Sequence, residues 1–442
     1  MRISRSPDHA EKVARIVDQL RAHDGARPLS LRKKAVSHQV PKAGDLRRSD
    51  DKIDIGDLTE ILEIDPLHRV CVAESGVTFA DLVDATLAYG LVPLVVPELR
   101  DITVGGAVAG CSIESMSFAY GGFHDSCLEY EVVTATGDVL TCSRDENALI
   151  FQMVHGAFGT LGILSKLTFR LVPARPFVHL VYEHHATLES FQCAIRRRAD
   201  ARDVDFMDGI VHARDHYSLA LGTFVDRAPY TSDYSWMKIY YRSTATRAED
   251  YLSTRDYFFR YDRGVTNVRP SSWLGRLALG RVMTSRRWLA LGAKLHWALA
   301  KTRPDVTLDT FVPFSKAGAF MRWYERELDH FPLWVVPYRR VHDYEWLVDD
   351  YWRSLDDDLF LDIAIYGMKQ TGDRNAHRMI EEKLRELGGI KTLISHNYYP
   401  EAEFWQIFNR PNYDAVKRRM DPDNVFRDLY AKTCVAAMGR TT

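Results

Sequence analysis

Two stretches of small residues and two polar clusters carry the chemistry in this 442-residue chain. The first stretch reads Thr103-Val104-Gly105-Gly106 and continues through Ala109, Gly110, Cys111, Ser112 and Ile113. Adjacent glycines let a backbone approach a ligand and take positive φ, and small neighbours leave room beside it. The second stretch, His155-Gly156-Ala157-Phe158-Gly159-Thr160-Leu161-Gly162-Ile163, opens an alternating run that ends at Pro173. Together they form two bare walls suited to a flat, bulky group. Arg32, Lys33 and Lys34, with Ser37 and His38 just beyond, bring cations and a hydroxyl that can hold an anion by charge and side-chain hydrogen bonds. Near the other end stand His396, Asn397 and Tyr398. An imidazole titrates close to neutrality and a phenol is a neutral donor, so this cluster can deliver a proton.

The elements that must position these groups can be read around them. Residues 128–140 form a strand, a Gly137-Asp138 turn and a second strand, with β-branched and aromatic residues on both sides. Val13, Ile16, Val17 and Leu20 recur at helical spacing, with Gly25 and Pro28 as the stop. Short strands are expected at 53–55, 61–64, 69–73 and 91–96, and Ser75 to Thr78 caps a helix through Leu87. Strands and helices mix in an α+β manner, and residues 1–173 read as one unit.

The order T-V-G-G, a small-residue turn, a hairpin with G-D, and then H-G-x-x-G-T-L-G-I-L resembles the PCMH-type flavin-binding domain of the vanillyl-alcohol-oxidase superfamily. Within it, V-P-E-L-R-D-I-T-V-G-G at 96–106, G-x-x-I-E-S at 110–115 and G-T-L-G at 159–162 resemble Δ24-sterol reductases and bacterial methylene-fatty-acyl reductases. The resemblance implies FAD cradled by 103–113 and 156–163, with 32–38 on its diphosphate. It also implies an α/β substrate cap over 174–391 and a tail, 392–442, that returns to the flavin domain. The usual glycine-rich diphosphate loop is missing, since no glycine lies between Gly25 and Gly44. His38 falls near the position at which some relatives attach flavin, and noncovalent FAD is the expectation. The implied activity is reduction of a lipid C=C bond with NADPH as donor, on a Δ24 sterol or terpenoid side chain or on a methylene-branched acyl chain. His396 is then the first candidate for the acid and Tyr398 the second, beside Asn397. Glu114 is a candidate to orient a loop against the flavin.

Composition bounds the reading. Apolar residues make up 46%, enough for two folded cores, and a net charge of -2 gives no global field to collect phosphates, which argues against a nucleic-acid partner. Six scattered cysteines show no C-x-x-C pair and no metal spacing, so no metal site is expected. With an N-terminus lacking an apolar core, they suggest the cytoplasm. The stretch 270–304 has seven cations, no acid and three tryptophans among leucines. It reads as a basic amphipathic helix on the inner membrane face, or as a helix packed on the protein with its basic side exposed. Two further readings stay open: an oxidase or dehydrogenase of an alcohol, sugar or hydroxy acid on the same fold, and a membrane-associated protein that keeps the fold without turnover.

Overall fold

The computed structural model describes residues 8–35, 40, 42, 44–262, 304–352, 357–371 and 373–440, together with Leu277, Arg287, Ala290, Leu291 and Lys294. Ser37, His38 and most of the basic stretch 270–304 lie outside the described residues.

Asp8 caps the first helix, His9–Arg21, in a capping box with Glu11, and the helix buries Val13, Ile16, Val17 and Leu20. A short parallel pair follows, Leu29–Arg32 with Asp51–Asp54. Among the described residues, a six-stranded antiparallel sheet then gathers the strands of the first third. Its order is Ile61–Asp65, Val70–Glu74, Ile163–Pro173, Cys127–Val133 and Val139–Ser143, with Leu91–Pro93 also paired to Ile163–Pro173. The 11-residue strand Ile163–Pro173 is its centre and alternates buried and half-buried positions. The strand foreseen at 91–96 stops at Pro93, and Leu94, Val95 and Val96 run on as a buried connection. The glycine stretch is helical: Thr103 caps Val104–Ala109 by accepting from the Gly106 amide at 3.2 Å. That helix can pack only because Gly105 has no side chain, since a Cβ there would lie 2.7 Å from Ser75 Cβ.

Among the described residues, a nine-stranded antiparallel sheet begins at Phe177. It runs Glu249–Ser253, Phe177–His185, His216–Val225, Phe206–Ala213, Leu333–Arg339, Leu359–Met368, Thr310–Pro313 and Ile390–Lys391, with Val306–Leu308 also on Leu359–Met368. Helices Leu188–Ala201, Ala317–Glu327 and Ala376–Leu387 cover one face and bury Phe191, Phe320 and Ile380 there. The other face looks toward the six-stranded sheet. The α-helix Arg410–Met420 returns to that sheet, where Lys417 donates to the Thr160 carbonyl at 2.9 Å and to Asp421 at 2.6 Å.

One buried charge ties the two sheets together. Arg260 lies 2.9 Å from Glu114, beside the glycine helix, and 3.1 Å from Asp208, on strand Phe206–Ala213. All three side chains are essentially sealed from solvent, and Tyr257, Tyr240 and Tyr261 surround the guanidinium. Removing one partner strands the others without water, which typically costs about 3–5 kcal/mol. Arg260→Ala should therefore lose about that much in equilibrium denaturation, whereas Arg255→Ala, at an exposed pair with Asp84, should lose less than about 1 kcal/mol.

Candidate active site

Both sheets contribute to a cavity of about 1050 Å³. A usual small-molecule site is roughly 300–1,000 Å³, so this one has room for a cofactor and a second molecule. Its lining divides by chemistry into three zones.

The first zone is bare backbone. Thr103, Gly105, Gly106, Ala109, Gly110, Cys111, Ser112 and Ile113 line one wall, and Ala157, Phe158, Gly159, Leu161 and Gly162 line the other. Gly159 takes φ +69° and Gly162 φ +134°, conformations that L side chains rarely adopt. Of the expected contacts, Val104 and Ile163 turn their side chains into the protein core. Gly156 also stands off the lining; a Cβ there would meet Cys111 Sγ at 3.4 Å.

The second zone is cationic. Arg32, Lys33, Arg47, Arg48, Lys52 and Lys432 line it. Arg32 pairs with Asp54 at 2.6 Å and Arg47 with Asp45 at 2.8 Å. Lys33 is different: its ammonium sits near Gly106, burial lowers its pKa, and among the described residues no acid neutralises it. Lys432 donates to the Phe158 carbonyl at 2.7 Å, and burial, aided by Arg47, pulls it down to about 7. Lys34 is exposed and stands off the lining, a correction to its place in the expected anion loop.

The third zone is acidic and aromatic. Glu98 arrives on the connection after Leu91–Pro93, Asp309 lies between strands Val306–Leu308 and Thr310–Pro313, and Asp362 and Tyr366 come from Leu359–Met368. Tyr366 donates to Asp309 at 2.6 Å, and the Thr310 amide donates to Asp362 at 3.1 Å. Burial raises all three carboxyls: Glu98 goes to about 8, helped by Glu114 and Asp309, and Asp362 goes well above the carboxylate range, helped by Asp309 and Glu98. Ile210, Tyr241, Tyr261, Phe311, Leu333 and Trp334 supply the apolar surface of this end.

The residues named in the sequence for proton delivery lie elsewhere. His396, Asn397 and Tyr398 are absent from the lining, although Thr392 and Ile394 just before them belong to it. His396 is buried against His377, and burial with Lys42 and Lys391 pushes its pKa down to about 3, so it is neutral and holds no proton to give near pH 7. Asn397 donates to the Leu393 and Thr433 carbonyls, both at 3.1 Å, and Tyr398 lies beneath Arg440. These are bonds that fix the tail. His124 and His155 are buried behind the second wall, where His155 meets the Tyr130 hydroxyl at 2.9 Å. The sequence reading missed Glu98, Asp309, Asp362 and Tyr366. Its available signal was acids set singly within apolar strand runs, as in Leu308-Asp309-Thr310 and Leu361-Asp362-Ile363.

Residues 3–143 match the family model described as FAD binding domain. Those residues form an FAD-binding domain of the PCMH type. It is 26% identical to the Delta(24)-sterol reductase of Homo sapiens over 402 residues, which span 86% of this chain and 77% of that protein. With the Arabidopsis thaliana Delta(24)-sterol reductase it shares 24% over 482 residues, 97% of this chain and 85% of the other. A shorter likeness, 36% over 137 residues, links it to cytokinin dehydrogenase 7 of Oryza sativa subsp. japonica, over 30% of this chain and 26% of that protein.

The cavity fits FAD on its own evidence. The two walls are rich in glycine and small residues where a ring system must lie close to backbone, and the cationic zone contains a half-buried ammonium, Lys33, that no acid among the described residues neutralises. Lys33 and Lys432 would hold the diphosphate in place of the missing glycine loop, and the stretches 103–113 and 157–162 would hold the ring. When bound, FAD supplies hydride transfer. Removing either lysine deletes a charge-assisted bond, typically about 1.5–3 kcal/mol, so Lys33→Ala and Lys432→Ala should each weaken FAD about 10- to 100-fold in fluorescence titration of the apoprotein.

Glu98 makes a separate prediction. Its folded pKa of about 8 exceeds the ordinary 4.5, so the folded state binds this proton more tightly than the unfolded state. The resulting stability is complete below about pH 4.5 and is lost as pH rises through about 8. In Glu98→Gln, the denaturation midpoint should fall less with pH across that window than in the wild type.

Proposed function

We propose that this protein reduces an isolated carbon–carbon double bond in a lipid, with FAD as its cofactor and NADPH as the electron donor. The observation that carries the reading is a single cavity with three kinds of lining: bare walls for a flavin, an apolar aromatic end for a hydrocarbon, and protonated carboxyls beside it. Hydride addition to an unactivated olefin needs a proton at the second carbon, and an apolar site with a neutral acid meets that need. Similarity to Delta(24)-sterol reductases over most of the chain supports the same direction of electron flow. The substrate is a Δ24 sterol or terpenoid side chain, or a methylene-branched acyl chain carried on a phospholipid.

NADPH and the lipid use the cavity in turn. The cavity of about 1050 Å³ has room for each in turn, and the sequence has no G-x-G-x-x-G fingerprint for a separate nicotinamide domain. Among the described residues the lining has no histidine, and Cys111 is its one thiol, raised far above its ordinary pKa by burial. On this reading the flavin is noncovalent; His38, near the position at which some relatives attach flavin, lies outside the described residues. Denaturing the yellow protein and passing it through a filter should release all flavin colour into the filtrate.

The decisive experiment is anaerobic stopped flow. NADPH should bleach the bound flavin, and an olefinic lipid should restore its colour with formation of the saturated product. Rapid bleaching by an alcohol, sugar or hydroxy acid, and none by NADPH, would identify an oxidase or dehydrogenase instead. Protein that stays colourless after FAD reconstitution would identify a binding protein. The stretch 270–304, with cations and tryptophans, would place the cavity near a bilayer from which the lipid is drawn. Wild type should sediment with anionic vesicles, and Trp288→Ala should sediment less. Among the described residues no helix is long and apolar enough to cross a membrane.

A further inference from the structure

Reducing a double bond divides the labour between cofactor and protein. FAD, reduced by NADPH, would supply a hydride to one carbon, and an acid of the chain would supply a proton to the other. We propose that Asp309, held by the hydroxyl of Tyr366, is that acid. The inference rests on the reading of the protein as a double-bond reductase and names the residue that completes it.

The geometry singles out Asp309 among the cavity's carboxyls. Its Oδ1 accepts from Tyr366 Oη at 2.6 Å, and its other oxygen meets Thr392 Oγ1 at 3.3 Å, so the carboxyl plane is fixed by two hydroxyls and no cation bonds it among the described residues. Asp362 is committed to the Thr310 amide and is sealed within its strand. Glu98 approaches from the six-stranded sheet and feels Glu114 and Arg260 as well. Asp362, Glu98 and Tyr366 face Asp309 across the same end of the cavity. Farther out, His330 bonds the Tyr366 carbonyl at 3.3 Å, and Lys391 turns away to Glu381.

Burial raises Glu98, Asp309 and Asp362 above the range of an isolated carboxyl, at Asp309 against the lowering pull of the Tyr366 and Thr392 hydroxyls, and neighbouring carboxyls add to the rise at Glu98 and Asp362. The apolar surface of Phe311 and Trp334 then holds the hydrocarbon against the acid. In the transfer the O–H bond of Asp309 breaks and its electron pair stays on oxygen. The π pair of the olefin forms the new C–H bond, and the carboxylate recovers its proton from water. Tyr366 stabilises the carboxylate left behind through its existing bond. Tyr366 is thus a positioning residue, and Asp309 is the group that meets the substrate.

The test uses the FAD-loaded full chain and three variants, Asp309→Asn, Tyr366→Phe and Glu98→Gln. In Asp309→Asn, reduction of the flavin by NADPH should stay within about threefold of wild type, while reoxidation by the olefinic lipid should slow by at least about 100-fold, the usual loss when a general acid is removed. Tyr366→Phe should slow the same half-reaction less and shift its pH profile, with the rate falling at a different pH as the carboxyls ionise. Glu98→Gln should move that profile to lower pH, because one of the repelling charges is gone.

A second readout needs no turnover. Infrared spectra of the purified protein near pH 7 should show the carbonyl band of a buried protonated carboxyl that weakens in Asp309→Asn. Lipid reoxidation within tenfold of wild type in Asp309→Asn, an unchanged carbonyl band, or equal loss of both half-reactions would overturn the assignment. If no lipid reoxidises the wild-type flavin, the reductase reading fails and the role of Asp309 as its acid fails with it. In that case the infrared band still decides whether Asp309 carries a proton.

Discussion

The structure depends on a charge that has nowhere else to go. Arg260 is sealed from water, and the opposite charges that compensate it among the described residues are Glu114 from the glycine-walled half and Asp208 from the nine-stranded half. A guanidinium cannot shed its proton to escape burial, so it requires both carboxylates to be in place. The two sheets are thereby held at one separation, and that separation is the width of the cavity. Tyr257, stacked over Arg260 at 4.0 Å, reaches Ser115 with its hydroxyl at 3.0 Å, and the Met207 amide donates to the Ser115 carbonyl at 2.8 Å. Hydrogen bonds alone would tolerate more slippage, because water can replace any one of them.

That fixed separation lets one cavity hold two opposite electrostatic environments. At one end, Lys33 and Lys432 are cations depressed by burial, ready to regain full charge when an anion arrives. At the other end, Glu98, Asp309 and Asp362 are acids raised by burial and by one another. Both ends lean toward neutrality without a ligand, which lowers the cost of keeping so many ionisable groups out of water. A diphosphate restores charge at the first end. At the second, a hydrocarbon expels water and keeps the acids neutral.

How much of this was legible in the residues follows from the range of each interaction. The glycine walls were readable because positive φ and close approach are local demands, met by a residue type at a position, and Gly105, Gly106, Gly159 and Gly162 all reach the cavity. Helix His9–Arg21 and hairpin 128–140 were readable for the same reason, through periodicity and a turn. Proton delivery was not. His396 draws attention by residue type, yet two lysines and burial disarm it, and those lysines come from position 42 and from the end of the nine-stranded sheet. Asp309, Asp362 and Glu98 sit some 50 and 200 positions apart, and it is the pairing of Val306–Leu308 and Thr310–Pro313 with Leu359–Met368 that brings the first two together. The role of Glu114 was half seen, since it does hold the loop after the glycine helix, but through Arg260, for which 113–115 gives no sign.

Burial is what converts an ordinary aspartate into a usable acid here, and that constrains the order of events. An open cavity wets its acidic end, solvates the carboxylates and lowers their affinity for protons, whereas a filled one raises it. Proton donation is therefore favoured only while hydrocarbon occupies the space between Phe311, Trp334 and the bare walls. A nicotinamide, with its own charges and phosphates, favours the opposite state, in which the acids are hydrated and the cationic end is satisfied. On the proposed reading, the same residues would bias the cavity toward accepting electrons when it is wet and spending them on an olefin when it is dry.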